Sequence, residues 1–477
     1  MISFSKTVIF LAFLFAISSL QAFGQNANDQ LAGSWQGVLN TGNMEIRLVF
    51  NIAVAEDGSL NATMDSPDQG AMAIPLGEVS LTGDSLRIEA PIVGGYYLGK
   101  FNAESSCEGE WYQSGIILKL DLDKKENVIV LNRPQEPQAP FPYEEKEVSF
   151  TNVKHGFSLG GTLTLPEGKG PFPAAILVSG SGSQNRDEEI FGHKPFKLLA
   201  DQLTRRGIAV LRYDDRGVGS SGGSAAESTS GDLAGDARSA FDYLLSNNII
   251  DHSQIGIIGH SEGGMIAFML ASSHKDIAFI ISLAGPGVDG KTILLEQSDY
   301  ITSLSGVASS IREDNRIVMT AVYDIMMANE SYQVWEEEVI DFTSKFYSEK
   351  DMGYYSEEDI ERGKKNLLAS IPESSYAWMR YFVMFDPTPL FDSIKCPVLA
   401  LNGEKDCQVL PEKNIQSIKN GLLTAGNTNT FTMILPGLNH LFQNCETGLP
   451  NEYGILEETF DQKTLDMMSE WILQQVH

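Results

Sequence analysis

The sequence predicts a doubly wound, mostly parallel α/β sheet with a helical insertion, preceded by a small all-β domain. Three observations predict it. From about Tyr143 onward, short apolar runs alternate with helical patterns, as buried parallel strands joined by crossover helices do. Between Leu31 and Leu131, brief alternating runs are parted by turn residues, the pattern of an antiparallel sheet. Between the two, residues 133–142 hold four prolines in ten positions, which makes a stiff, extended linker. A chain of 477 residues also exceeds one ordinary domain.

Residues 1–24 read as a signal peptide. Lys6 precedes an apolar run over 7–20, and Ala22 and Gly24 are small residues two apart, so cleavage is expected after Gly24. The run is shorter than the ~20 residues that span a bilayer. The expected location is therefore secreted or periplasmic, with no membrane span after cleavage. In the all-β domain, 25–132, strands are expected at 34–39, 45–53, 59–64, 85–90, 96–101, 108–113, 116–120 and 128–131. Asp57-Gly58, Gly83-Asp84 and Gly94-Gly95 supply turns. Gly33-Ser34-Trp35 is similar to the opening of lipocalin-type barrels, so a lipocalin-like barrel in an accessory role is expected.

In the third region, 143–477, a strand pair at 146–151 and 159–165 leads into apolar runs at 174–178, 208–213, 255–260, 277–283, 397–402 and 431–435. The alternation breaks over about 290–385. Helical patterns rich in Met, Tyr, Phe and Trp occur there at 293–304, 315–327, 332–346 and 357–369. The break lies near the carboxyl edge of the strand series, where such sheets bind ligands. It therefore reads as a helical cap.

Acidic residues outnumber basic ones by 63 to 34, a net charge of −29. This argues against nucleic-acid or anionic-membrane partners, which demand basic surface. The four cysteines, Cys107, Cys396, Cys407 and Cys445, lack Cys-x-x-Cys spacing, so a zinc site is not expected. Export permits disulfides. Cys407 and Cys445 are the candidate pair, because they flank two residues expected to meet in space.

The sharpest signal is Gly259-His260-Ser261-Glu262-Gly263, placed between an apolar strand and a helix-forming run. This Gly-x-Ser-x-Gly pattern is a nucleophile elbow. The serine sits in a strained turn that lifts its hydroxyl above the sheet. Side chains at Gly259 and Gly263 would collide with that turn, and the following helix aims its free N–H groups at the serine. A serine hydroxyl needs a base. In the fold that carries such elbows, the chain order is Ser, acid, His. Of the histidines after Ser261, His274 ends the elbow helix and His477 ends the chain. His440 follows an apolar strand, where the base belongs. The acid should follow the preceding strand, and Asp406 is assigned over its rival Glu404. An oxyanion hole needs two backbone N–H groups. Glu262 supplies one, and Ser181, with Gly182 as alternative, the other. The Gly-rich stretch lacks the Lys-Ser/Thr ending of a phosphate loop. Asp214, Asp215 and Arg216, like Asn185, Arg186 and Asp187, are read as loop-pinning residues outside the catalytic set.

Four segments carry a family resemblance. They are Ser179-Gly180-Ser181-Gly182-Ser183-Gln184-Asn185-Arg186-Asp187, Tyr213-Asp214-Asp215-Arg216-Gly217-Val218-Gly219-Ser220-Ser221, Gly259-His260-Ser261-Glu262-Gly263-Gly264 and Leu438-Asn439-His440. From Tyr143 on, the chain resembles α/β-hydrolase esterases of the EstD type, close to the serine aminopeptidase-like hydrolases. The resemblance implies carboxylesterase activity on short acyl esters, with a small-molecule ester substrate and no metal or organic cofactor. Two rivals are open. The same residues serve a peptidase, which would need cap acids such as Glu336, Glu337 and Glu338 for a substrate amine, or a thioesterase. Alternatively, the chain is a ligand-binding protein whose hydrolase domain is idle.

Overall fold

The computed structural model describes residues 30–476, apart from 41–44, 56–58, 68–70, 104, 114–115, 126–131, 227 and 350–355. The signal-peptide stretch, the Asp57-Gly58 turn and the strand expected at 128–131 lie outside the described residues. The chain forms two compact units that part between Asn132 and Arg133.

The N-terminal unit is one curled antiparallel sheet. Its strands are β1 (Gly33–Asn40), β2 (Glu45–Val54), β3 (Leu60–Ser66), β4 (Ala71–Pro75), β5 (Val79–Thr82), β6 (Ser85–Ala90), β7 (Gly95–Ala103), β8 (Ser106–Gln113), β9 (Ile116–Lys119) and β10 (Leu122–Lys125). The order is β4-β3-β2-β1-β10-β8-β7-β6-β5, with β9 on β8. Alternate residues point inward, so Trp35, Phe50, Leu86, Ile88, Tyr97 and Trp111 share one core. The Trp35 indole N–H donates to the Leu31 carbonyl at 2.7 Å, which satisfies its polar end inside that core. Among the described residues the sheet ends at β4 and β5. It is a half-barrel, an all-β domain as expected, with the lipocalin-like barrel formed only in part. The short edge strands β4 and β5 lacked a strand signal of their own.

The second unit is a mixed sheet wrapped by helices. Its strands are β11 (Glu144–Asn152), β12 (Phe157–Leu165), β13 (Phe172–Val178), β14 (Ala209–Tyr213), β15 (Ile250–His260), β16 (Ile280–Leu283), β17 (Val398–Gly403) and β18 (Thr430–Leu435). The order is β11-β12-β14-β13-β15-β16-β17-β18. The β11–β12 and β12–β14 pairs are antiparallel, and every pair from β14–β13 onward is parallel. This is the α/β-hydrolase architecture. Its apolar runs are apolar on both sides because both faces are covered. Ala174, Ile176 and Val178 of β13 enter one core, while Ala175 and Leu177 enter the other. Helices α1 (Pro195–Arg205), α2 (Ser230–Leu245) and α3 (Glu262–Ser273) follow their strands.

Among the described residues the cap has five helices: α4 (Gly290–Leu304), α5 (Ser309–Ala328), α6 (Tyr332–Ser348), α7 (Glu357–Ser370) and α8 (Glu373–Met384). They pack on their own cluster, which includes Val322, Met326, Trp335, Val339 and Tyr376. Three helices complete the chain: α9 (Pro411–Thr424), α10 (Pro450–Tyr453) and α11 (Gln462–Gln475). Leu465, Met468 and Ile472 of α11 join Phe196, Leu199 and Leu203 of α1.

The proline-rich segment expected as a stiff linker is bonded to the α/β unit. Arg133 donates to the carbonyls of Leu456 and Gly454, both at 2.8 Å. The Gln135 amide reaches Phe460, and Glu136 pairs with Lys194 and Lys197. Composition indicated stiffness. It did not show that polar residues between the prolines would fasten the segment to the α/β unit.

Candidate active site

The turn from β15 into α3 places Ser261 at φ 53° and ψ −118°, a left-handed region that side chains disfavour. Neighbouring contacts hold it there. The Ser261 N–H donates to the Leu283 carbonyl at 2.8 Å, and its own carbonyl accepts from Gly264 at 2.9 Å. A Cβ on Gly259 would overlap the Gly263 carbonyl, and one on Gly263 the Val178 carbonyl, so only glycine fits either place. The Glu262 amide is the first of α3, where no carbonyl of the helix is available to it.

His440 and Asp406 come from the loops after β18 and β17. His440 Nδ1 lies 2.7 Å from Asp406 Oδ2, with the two residues 4% and 1% exposed. Asp406 Oδ1 accepts the backbone N–H groups of Gln408 and Val409 at 2.8 and 2.9 Å. The carboxylate can only accept, so the His440 proton belongs on Nδ1 and Nε2 is left to accept one. Glu404, the rival acid, accepts instead from the Gly437 N–H at 2.8 Å. His440 is drawn to the elbow by its backbone, whose carbonyl lies 3.0 Å from His260 Nε2. Among the described residues no hydrogen bond joins the Ser261 hydroxyl to the His440 ring. Such contacts often tighten only with substrate.

The loop after β13 runs past the serine. A Cβ on Gly180 would lie 3.2 Å from the Ser261 Cβ. Ser181 and Gly182 line a cavity of about 460 Å³, together with Asp215, Arg216, Ser374 and Trp378. Trp378 of α8 donates its indole N–H to Glu262 Oε1 at 2.9 Å, which places the cap beside the elbow. Burial holds the Glu262 carboxyl above its ordinary range, against the hydrogen bond it takes from Trp378. Burial also pushes Asp215 up to about 7; its bonds to Gln184 N–H and the Ser179 hydroxyl oppose the rise, and the charges of Glu188 and Glu262 add to it.

The loop-pinning residues make their pairs. Arg186 Nη2 meets Asp214 at 2.7 Å, and Arg216 meets Asp236 at 2.6 Å. Cys407 and Cys445, the candidate disulfide pair, are both free thiols in the structure, as are Cys107 and Cys396. Cys407 donates to the Gly448 carbonyl at 3.2 Å and Cys445 to the Gly437 carbonyl at 3.5 Å. The two thiols turn to different carbonyls, and burial pushes the Cys407 thiol up to about 12. Three neighbours of the serine escaped the sequence reading: Glu188, the His260 side chain and Trp378. Helix α8 carried no separate helical assignment. A histidine inside the elbow motif was the one available hint of a second polar group.

Among the described residues, no group of three or more His, Cys, Asp or Glu is placed to hold a metal ion. No helix among them is long and apolar enough to cross a membrane.

The family model described as serine aminopeptidase, S33, matches residues 194–444. Esterase EstD of Thermotoga maritima is 25% identical over 342 residues, covering 70% of this chain and 69% of that protein. Esterase Pf2001 of Pyrococcus furiosus aligns over 74% of this chain and 100% of its own, at 15% identity and a TM-score of 0.42. The α/β hydrolase GrgF of Penicillium aligns over 70% and 99%, at 17% identity and a TM-score of 0.44.

Proposed function

Since the chain belongs to the serine aminopeptidase S33 family of hydrolases, we propose that it cleaves short-chain carboxylic esters through Ser261, His440 and Asp406. Its class, a carboxylic ester hydrolase, follows from that family and the likeness to Esterase EstD. The observation that carries the finer reading is the 2.7 Å contact between His440 Nδ1 and Asp406, beside a serine on a strained strand-to-helix turn. In this reading His440 Nε2 takes the Ser261 proton as the oxygen attacks the ester carbonyl. The N–H groups of Ser181 and Glu262 receive the oxyanion. His440 then protonates the leaving alcohol, and the acyl-enzyme forms. Water activated by the same nitrogen releases the acid.

The cavity of about 460 Å³ beside Ser181 has room for an acyl or alcohol group. The peptidase reading would draw on Glu336, Glu337 and Glu338. Glu337 and Glu338 are exposed, and Glu338 is engaged with Asn329. The proposed location is outside the cytoplasm, on the signal-like features of residues 1–24. A mature N-terminus at Gln25, read by mass spectrometry of the exported protein, tests it. For the chemistry, Ser261→Ala is expected to abolish hydrolysis of p-nitrophenyl acetate and butyrate. Turnover retained in that variant rules the assignment out.

A further inference from the structure

A buried ion pair, Glu188 with His260, has no task in the mechanism above. The His260 ring sits between two acceptors. Nδ1 is 2.9 Å from Glu188 Oε1, and Nε2 is 3.0 Å from the His440 carbonyl oxygen. A carboxylate and a carbonyl oxygen can only accept, so both ring nitrogens donate and the ring is an imidazolium. The same Glu188 oxygen accepts the Gly180 N–H at 2.7 Å.

Three further observations bear on the pair. Glu188 and His260 are 5% and 8% exposed, so water does not compete for these bonds. Glu188 adopts φ 50°, a conformation that side chains disfavour and that persists only where its surroundings dictate it. The carboxyls of Asp215 and Glu262 are buried nearby, and the charges of Glu188 and Glu262 both act on Asp215. Arg216 is already committed to Asp236. The His260 imidazolium is thus the cation that offsets Glu188 in this acidic surrounding.

The chain of bonds has a particular topology. Gly180 precedes Ser181, His260 precedes Ser261, and the carbonyl belongs to His440 itself. One ion pair therefore grips the backbone within one residue of the proposed oxyanion donor, the nucleophile and the base. We propose that Glu188 and His260 are positioning residues which hold the Ser181 loop, the elbow and the His440 backbone in register for acyl transfer. The inference rests on the reading of Ser261 as nucleophile and His440 as base. Neither side chain transfers a proton in that reading, though the His260 ring packs on the His440 ring with centroids 4.8 Å apart.

The test uses the full chain carrying Glu188→Gln or His260→Asn, beside Ser261→Ala. The amide in Glu188→Gln cannot hold an imidazolium, so the His260 ring keeps one N–H and the network loses either its link to the His440 carbonyl or, if the amide NH2 turns to Nδ1, the Gly180 N–H bond. His260→Asn keeps the reach to Glu188 and drops the link to His440. Sites are counted by labelling to completion with a fluorophosphonate, so turnover is expressed per competent serine and misfolded protein does not enter. The expected result for each variant is a kcat per site about 10- to 100-fold below the parent, with KM within about twofold, as small misplacements of reacting groups produce. An unchanged kcat per site in both variants overturns the proposal, whatever happens to the melting temperature. Activity in Ser261→Ala would instead sink the underlying reading, so the two failures are told apart.

Discussion

Asp406 shows how far one carboxylate can be committed. One oxygen takes two backbone N–H groups and the other faces His440 Nδ1. Asp406→Asn would keep the volume but present an amide that favours the wrong histidine tautomer. Its kcat on p-nitrophenyl butyrate is expected to fall by about 10³- to 10⁴-fold, with little change in melting temperature. Sequence order led to this loop but separated Asp406 from Glu404 only by depth within it. Asp215 makes a pH-dependent contribution. Its carboxyl is raised from 3.8 to about 7 in the folded chain, chiefly by burial. The folded state holds that proton more tightly, so this contribution to stability is complete below about pH 4 and is lost as pH rises toward 7. Urea unfolding should show a loss of roughly 3 kcal/mol across that window. Asp215→Asn should flatten it, and an equal slope in the variant would assign the effect to other groups.

At the scale of elements, the elbow is a place where strand and helix nearly touch. Gly259 packs against Gly263, and Gly263 against the carbonyl of Val178 on the neighbouring strand. Gly263→Ala is expected to destabilise the fold by about 3 kcal/mol and to abolish labelling of Ser261, because the added methyl can be housed only by moving backbone. A melting temperature equal to the parent's would contradict this account. The elbow was legible in the sequence because its requirements are local. A strand, two glycines, a serine and a helix follow one another without a break over Ile250–Ser273. Helix α8 was less legible. Its Trp378 meets Glu262 across 116 residues, and its own sequence does not announce that partner.

At the scale of the whole molecule, every residue of the proposed machinery lies in the unit that begins at Arg133. A chain started at Arg133 should retain kcat/KM on p-nitrophenyl butyrate within about threefold, since such units carry their own cores. Starting it at Tyr143 instead removes the Arg133 bonds to Gly454 and Leu456. This should cost about 2 kcal/mol in urea unfolding, as charged donors to carbonyls do. If the shorter chain proved equally stable, the 133–142 segment would be a spacer after all.

The sequence by itself determined the features written in short-range pattern. Apolar runs covered on both faces dictate a buried parallel sheet. Prolines mark where one unit ends. The glycines around Ser261 dictate a turn that no other residue fits. Only the tertiary structure decided which distant polar groups share a bond. Glu188 reaches His260 across 72 residues, and His260 reaches His440 across 180. It also turned Cys407 and Cys445 toward separate carbonyls and left the half-barrel open. No periodicity encodes such pairings. They follow from the relative heights of loops at one end of a twisted sheet, and those heights exist only once both cores have packed.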